Sequence, residues 1–147
     1  MKIIIDADAC PVTKKAADIA KRHSVECVIV CDTSHFIELE DCLTVTVDKG
    51  ADSADYKVVS LASPGDIAVT QDYGLAAMCL AKKCRAVNQN GLIYSDKNIE
   101  NLLYTRYVGK EIRMAGGRTK GPKKRTKEQD EAFEKALTKL IEDTSGR

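Results

Sequence analysis

Ile3-Ile4-Ile5-Asp6-Ala7-Asp8-Ala9-Cys10-Pro11 opens the chain with three consecutive β-branched residues and ends them on a carboxylate. So short an apolar run bounded by acids is a buried strand rather than a helix. Pro11 fits the first position of a helix, where its missing N–H costs nothing. Val12, Ala16, Ile19, Ala20 and His23 then recur at helical spacing, one apolar face ending near His23. A strand that hands over directly to a helix is the opening half of a βαβ unit, and the rest of the chain repeats the alternation.

Cys27–Cys31 and Leu43–Val47 read as the second and third strands, separated by the irregular stretch 32–41. Asp48-Lys49-Gly50-Ala51-Asp52 is a turn, and Asp52 or Ser53 caps a helix that puts Ala54, Val58, Leu61 and Ala62 inward. Ser63-Pro64-Gly65 ends that helix. Ile67–Thr70 is the fourth strand, and a helix opens at Asp72 and runs to about Lys83. Arg85–Val87 and Leu92–Tyr94 flank Asn88-Gln89-Asn90-Gly91, a hairpin turn signal. Ser95 or Asp96 caps a further helix carrying Ile99, Leu102 and Leu103, and Glu128–Ile141 closes the chain as an amphipathic helix. Strands alternating with helices predict a three-layer α/β fold, a mainly parallel sheet with helices on both faces. Right-handed crossovers place the ends of the first and fourth strands on one edge, where ligands of such sheets bind.

Composition excludes several classes. With 147 residues, 44% hydrophobic and 31% charged, the chain suits one folded domain. Aromatics are 5% with no Trp, which argues against a base-stacking platform of the RRM kind. No apolar run is long enough to span a bilayer, and the N-terminus meets an acid too soon for a secretory signal, so the expectation is cytoplasmic with no membrane partner. Six cysteines without a Cys-x-x-Cys pair read as reduced core residues. Cys27 and Cys31 lie four apart on a strand, roughly 13 Å, too far to share one zinc. Neither a Walker loop nor a Gly-x-Gly-x-x-Gly fingerprint occurs.

Charge is distributed unevenly behind a net of +1. Nine Lys or Arg fall between Arg106 and Lys127 against one acid, Glu111, which leaves −7 on the remainder. An acidic body with a basic arm suits a cation site beside a phosphate-binding surface. The expected organisation is a domain over 1–112, a basic Gly-rich arm over 113–127 and a C-terminal helix over 128–147 on or near the same domain.

Three acidic clusters fall past strand ends or at helix starts: Asp6 with Asp8, Asp52 with Asp55, and Asp72. If the first and fourth strands are neighbours, about 4.8 Å apart, Asp6 and Asp72 can bridge one divalent ion. Each acid also has an ordinary reading. Asp52 and Asp72 sit where N-caps belong, Asp8 could accept bonds from the following helix, and Asp55 could be a surface residue in a first turn. Asp6 resists such a reading, because a carboxylate ending a buried strand must be satisfied by something. Asp66, at the beginning of the fourth strand, belongs to the opposite edge and is excluded from the site.

Ile3–Pro11, Lys49–Tyr56, Pro64–Leu75 and Gly116–Pro122 (GGRTKGP) together resemble the bacterial YaiI/YqxD family, over nearly the whole chain. More loosely the chain is similar to the PIN and NYN nucleases. Their pattern is an Asp ending the first strand, a Gly-x-Asp at a helix start and a Thr/Ser-x-Asp-x-Asp/Gly turn. Asp6, Asp52 and Asp72 match it, with Gly74 where a further acid often stands. The resemblance implies a PIN-like fold and a metal-dependent nuclease, RNA being the favoured substrate. Asp6, Asp52 and Asp72 would be catalytic, and Asp6, Asp8, Asp52, Asp55 and Asp72 would hold Mg²⁺ or Mn²⁺. Beside a cluster of carboxylates a polyanion needs cations, so Arg113, Arg118, Lys120, Lys123, Lys124 and Arg125 are expected to bind phosphates, with Thr119 and Gly121. Two other functions fit parts of the pattern. A haloacid-dehalogenase-like phosphatase would use Asp6 as nucleophile and Asp8 as acid/base. A non-catalytic RNA-binding or ribosome-associated protein would use the basic arm alone.

Overall fold

The computed structural model describes residues 1–8, 10–33, 36–50, 53–116 and 124–145. Six strands form one sheet in the order β3-β2-β1-β4-β5-β6. They are β1 (Lys2–Asp6), β2 (Glu26–Asp32), β3 (Leu43–Val47), β4 (Ile67–Val69), β5 (Arg85–Val87) and β6 (Ile93–Tyr94). All pairings are parallel except β5 with β6, the antiparallel hairpin that Asn88–Gly91 signals. Its turn is held by Asn88 Oδ1, which accepts from the N–H groups of Asn90 and Leu92. β1 lies between β2 and β4, with Ile5 beside Ile29 on one side and Val69 on the other.

Five helices cover the sheet: α1 (Thr13–Arg22), α2 (Ser53–Leu61), α3 (Tyr73–Ala81), α4 (Asp96–Met114) and α5 (Lys127–Ser145). Strand alternation sorts the core into two halves. Ile3, Ile5, Ile29, Ile67, Val69 and Val87 pack on one face with Ile19 of α1 and Phe133, Leu137 and Ile141 of α5. Ile4, Val28, Val30, Ala68 and Ala86 pack on the other with Val58 of α2, Leu75 of α3 and Ile99 of α4. The result is the three-layer architecture expected. Each isoleucine of β1 is fully buried, and such burial is worth about 1.5–3 kcal/mol per side chain. α5 therefore completes the same core as β1, at the far end of the chain.

Several local expectations change. α1 starts at Thr13 after a turn containing Pro11, with Val12 at the N-cap position. β2 and β3 run parallel without an intervening helix. Ile37, Leu39 and Cys42 of the connection pack on the α1/α5 half of the core and supply the cover a crossover helix would give. α4 extends to Met114, so the first residues of the predicted arm, Arg113 included, are helical. All six cysteines are unpaired, and Cys27 and Cys31 are buried in β2. Among the described residues no helix is long and apolar enough to cross a membrane.

Candidate functional site

The alternation that buries Ile4 against α2 and α3 sends the next even-numbered side chain of β1, Asp6, to the same face, just where the strand ends. There a cleft of about 450 Å³ opens at the carboxyl edge of β1 and β4. Asp6, Asp8, Asp55 and Asp72 line it, together with Gln71, Tyr73 and Arg106. Four of the five acids proposed from the sequence are thus brought to one place. Asp52 lies outside the described residues.

Asp6 and Asp72 are joined through Thr70. The Thr70 hydroxyl donates to Asp6 Oδ2 at 2.9 Å and accepts from the Asp72 backbone N–H at 3.0 Å. Since the hydroxyl has one proton, the N–H arriving on its lone pair leaves that proton for Asp6. Thr70 is itself buried, its N–H bonded to Val87 and its carbonyl accepting from the Tyr94 hydroxyl at 3.1 Å. Tyr94 in turn meets the Tyr73 ring edge-to-face at 6.1 Å. These contacts hold the turn after β4 rigid beneath the cleft.

Asp72 does cap α3: Oδ1 accepts from the N–H of Gly74 at 2.8 Å and of Leu75 at 3.1 Å. Asp72 thus caps α3 and lines the cleft at once, and among the described residues its side-chain hydrogen bonds all fall on Oδ1. Arg106 Nη1 reaches the same oxygen at 3.4 Å, a long and exposed ion pair. Asp8 departs from its expected role. Its Oδ1 accepts from the backbone N–H of Asp32 at 3.2 Å, which ties it to the end of β2 rather than to α1. Asp55 stands in the first turn of α2.

The electrostatics are unfavourable for a carboxylate alone. Burial above all, opposed by the Thr70 bond and helped by the charges of Asp55, Asp8 and Asp72, raises the Asp6 carboxyl from 3.8 to about 6. Arg106 is the one cation among the described lining residues. Among the described residues no three His, Cys, Asp or Glu side chains stand close enough to hold an ion together. The donor set is all oxygen, gathered around a space wide enough for an ion that keeps part of its water, as Mg²⁺ and Mn²⁺ do. Asp66 lies at the opposite edge, as expected, where it is buried and bonded to Lys2 and Ser63.

Of the proposed phosphate ligands, Arg118, Thr119, Lys120, Gly121 and Lys123 lie outside the described residues. Lys124 is exposed ahead of α5. Arg125 is committed elsewhere: its guanidinium binds Asp130, the Asn90 side chain and the Gln89 carbonyl, fastening the start of α5 to the β5–β6 turn. Thr70 and Arg106 are the residues that sequence reasoning passed over. Arg106 follows Ile99 and Leu102 at i+7 and i+4, so helical spacing already placed it on the inward face of α4.

A family model described as Uncharacterized BCR, YaiI/YqxD family matches residues 4–143. The chain belongs to the YaiI/YqxD family. It is similar to a UPF0178 protein of Exiguobacterium sibiricum, 49% identical over 141 residues and 96% of each chain. A UPF0178 protein of Ruminiclostridium cellulolyticum is 50% identical over 145 residues, 99% of this chain and 95% of its own. One from Lachnoclostridium phytofermentans is 41% identical over 148 residues, 99% of each. No solved structure gives a significant match. The YaiI/YqxD match spans every element from β1 to α5, so the cleft and the helix that closes the core belong to one family unit.

Proposed function

We propose that the cleft is the site of a divalent-metal-dependent phosphodiesterase acting on nucleic acid, RNA rather than DNA. The observation that carries this reading is the gathering of Asp6, Asp8, Asp55 and Asp72 at one strand edge, with Asp6 so placed that burial and like charges disfavour its ionised form. A divalent cation relieves that repulsion. Mg²⁺ is commonly held by one or two carboxylates with waters and substrate phosphate completing the shell. Asp6 and Asp72 Oδ2 would hold it, with Asp8, Asp55 and the Asp52 of the family-like Gly-x-Asp as further oxygen donors. When bound, the ion supplies Lewis acidity at the phosphodiester.

The chain's own residues do the rest. Thr70 fixes the Asp6 carboxylate and leaves its other oxygen facing the cleft. Arg106, across from Asp72, offers a cation to a substrate phosphate. Arg113, Arg118, Lys120, Lys123 and Lys124, with Thr119 and Gly121, are proposed to hold phosphates further along the strand and offset the repulsion between a polyanion and an acidic cleft.

Calorimetric titration of Mn²⁺ and cleavage of a labelled single-stranded RNA test this together. Asp6→Asn and Asp72→Asn should each lower cleavage by on the order of a hundredfold or more. Asn still accepts from Thr70 and is as good an N-cap as Asp, so both variants should keep the parent's circular dichroism. Undiminished cleavage in both variants would overturn the assignment. RNA binding that persists in both, with no cleavage by the parent, would favour the non-catalytic reading. A covalent aspartyl adduct trapped with beryllofluoride would favour the phosphatase.

A further inference from the structure

Next to the acidic cleft lies a second depression of about 490 Å³ between α2 and α3. Its walls differ in kind: Tyr56 and Val59 from α2, Leu75 and Met78 from α3. Leu75 forms a fully buried floor, while Tyr56 and Met78 are 78% and 44% exposed at the rim. The two hollows share Asp55, Asp72 and Arg106 as their common border. The tyrosine is largely exposed and the thioether half-exposed, over an aliphatic floor. They present a flat apolar slot one residue away from a site built for cations and phosphate.

Gly74 keeps the slot open to the cleft. A Cβ at this position would stand 3.3 Å from Asp72 Oδ1 and 3.8 Å from Arg106 Nη1, two of the three residues that mark the border. The PIN-type pattern often carries an acid here. A carboxylate at 74 would add charge at the mouth of the slot, and glycine leaves it neutral and low.

We infer that this slot binds one unpaired nucleobase of a single-stranded nucleic acid whose adjacent phosphate lies by Arg106. The inference rests on the phosphodiesterase reading and names the substrate's form. A nucleobase has the required chemistry: a flat π-face for Tyr56, a polarisable surface for Met78 and an anionic phosphate on its sugar for Arg106. A base locked in a duplex cannot enter, because its faces are covered by its neighbours. The slot therefore selects single-stranded segments, and Tyr56 is the residue that grips the base.

The test is a binding titration of the full chain with Mn²⁺, using a single-stranded RNA oligomer with phosphorothioate linkages and a series carrying one abasic position. Stacking on an aromatic side chain implies that one abasic position weakens binding roughly 5- to 150-fold in the parent. Tyr56→Phe should keep that penalty, and Tyr56→Ala should lose it while binding the abasic oligomer as the parent does. Tyr56 is a surface residue, so the fold of either variant is not at stake. If the parent binds every abasic oligomer as tightly as the intact one, or if Tyr56→Ala keeps the penalty, the inference is overturned. Cleavage that depends on Asp6 would still stand in that case. Absence of both binding and Asp6-dependent cleavage would instead remove the phosphodiesterase reading and this inference with it.

Discussion

Asp66 and Asp6 sit at opposite ends of neighbouring strands, and the protein treats them in opposite ways. Asp66 is 4% exposed, yet every demand of its charge is met. Lys2 Nζ lies 2.7 Å away, and the N–H groups of Ser63 and Lys2 donate at 2.8 and 3.0 Å. Burial acts to raise its pKa, and the Lys2 ammonium with the two backbone bonds outweighs it and holds the carboxyl below its usual range. Asp6 has one hydroxyl bond and three carboxylates for company, and its pKa rises to about 6. The first is a carboxylate used as a joint between β1 and β4. The second is a carboxylate that burial and neighbouring charges hold at the expense of stability.

Four changes sharpen that contrast. The largest effect belongs to Asp66→Ala, which strands the Lys2 ammonium and two backbone N–H groups at once. Loss of about 3–5 kcal/mol is expected, read as a fall in the urea midpoint. A change under 1 kcal/mol would mean that the joint contributes nothing.

Asp6→Asn should act in the other direction. The native carboxyl titrates near 6 and the unfolded one near 3.8, so stability is highest below the unfolded value and is lost as pH rises from about 4 to 6. The gap of roughly two units corresponds to about 3 kcal/mol at most. Without metal, the Asn variant should be the more stable at pH 8 and equal to the parent near pH 3.5. Denaturation curves in EDTA at the two pH values check the sign.

Thr70→Val removes the bond that lowers the Asp6 pKa and leaves the Asp72 N–H without its acceptor. It should cost about 1–2 kcal/mol and move the Asp6 carboxyl resonance, followed by NMR, to a titration midpoint above that of the parent. Thr70→Ser should restore both. An unmoved midpoint in the Val variant would show that the hydroxyl has no hold on Asp6.

Arg106→Gln should scarcely alter stability, within about 0.5 kcal/mol, because its ion pair with Asp72 is long and exposed. Its effect should appear instead in RNA binding, with the salt slope falling by about one unit. An unchanged slope would remove Arg106 from the phosphate path.

Strand identity and edge were legible in the sequence because Ile3–Ile5 and Ile67–Val69 are short apolar runs with acids, Asp6 and Asp72, close behind them. That Asp6 and Asp72 share an edge followed from crossover handedness alone. The role of Thr70 was not legible: the Thr/Ser-x-Asp turn pattern includes it, yet that its hydroxyl joins Asp6 to the Asp72 N–H shows only once its neighbours in space are known. Arg106 was hidden by its surroundings, since a run of nine cations suggests a solvated arm and masks the one that lines the cleft. Arg125 shows the converse, a cation in the same run whose partners, Gln89 and Asn90, are more than thirty residues away in sequence. Asp8 could be placed near the site but not oriented, because the N–H it binds belongs to Asp32 on another strand.

The position of α5 has a consequence for how the chain is made. β1 leaves the ribosome ahead of the elements it packs on: one of its two flanking strands is complete only at Val69, and one face is covered by Phe133, Leu137 and Ile141. During synthesis, Ile3 and Ile5 must wait for α5 residues that are translated much later. The nascent chain therefore carries an unsealed apolar sheet face until α5 emerges, and contacts so distant in sequence are slow to close. A ribosome stalled anywhere before residue 133 holds a product that cannot finish its core, and such a product is a natural client for chaperones or proteases.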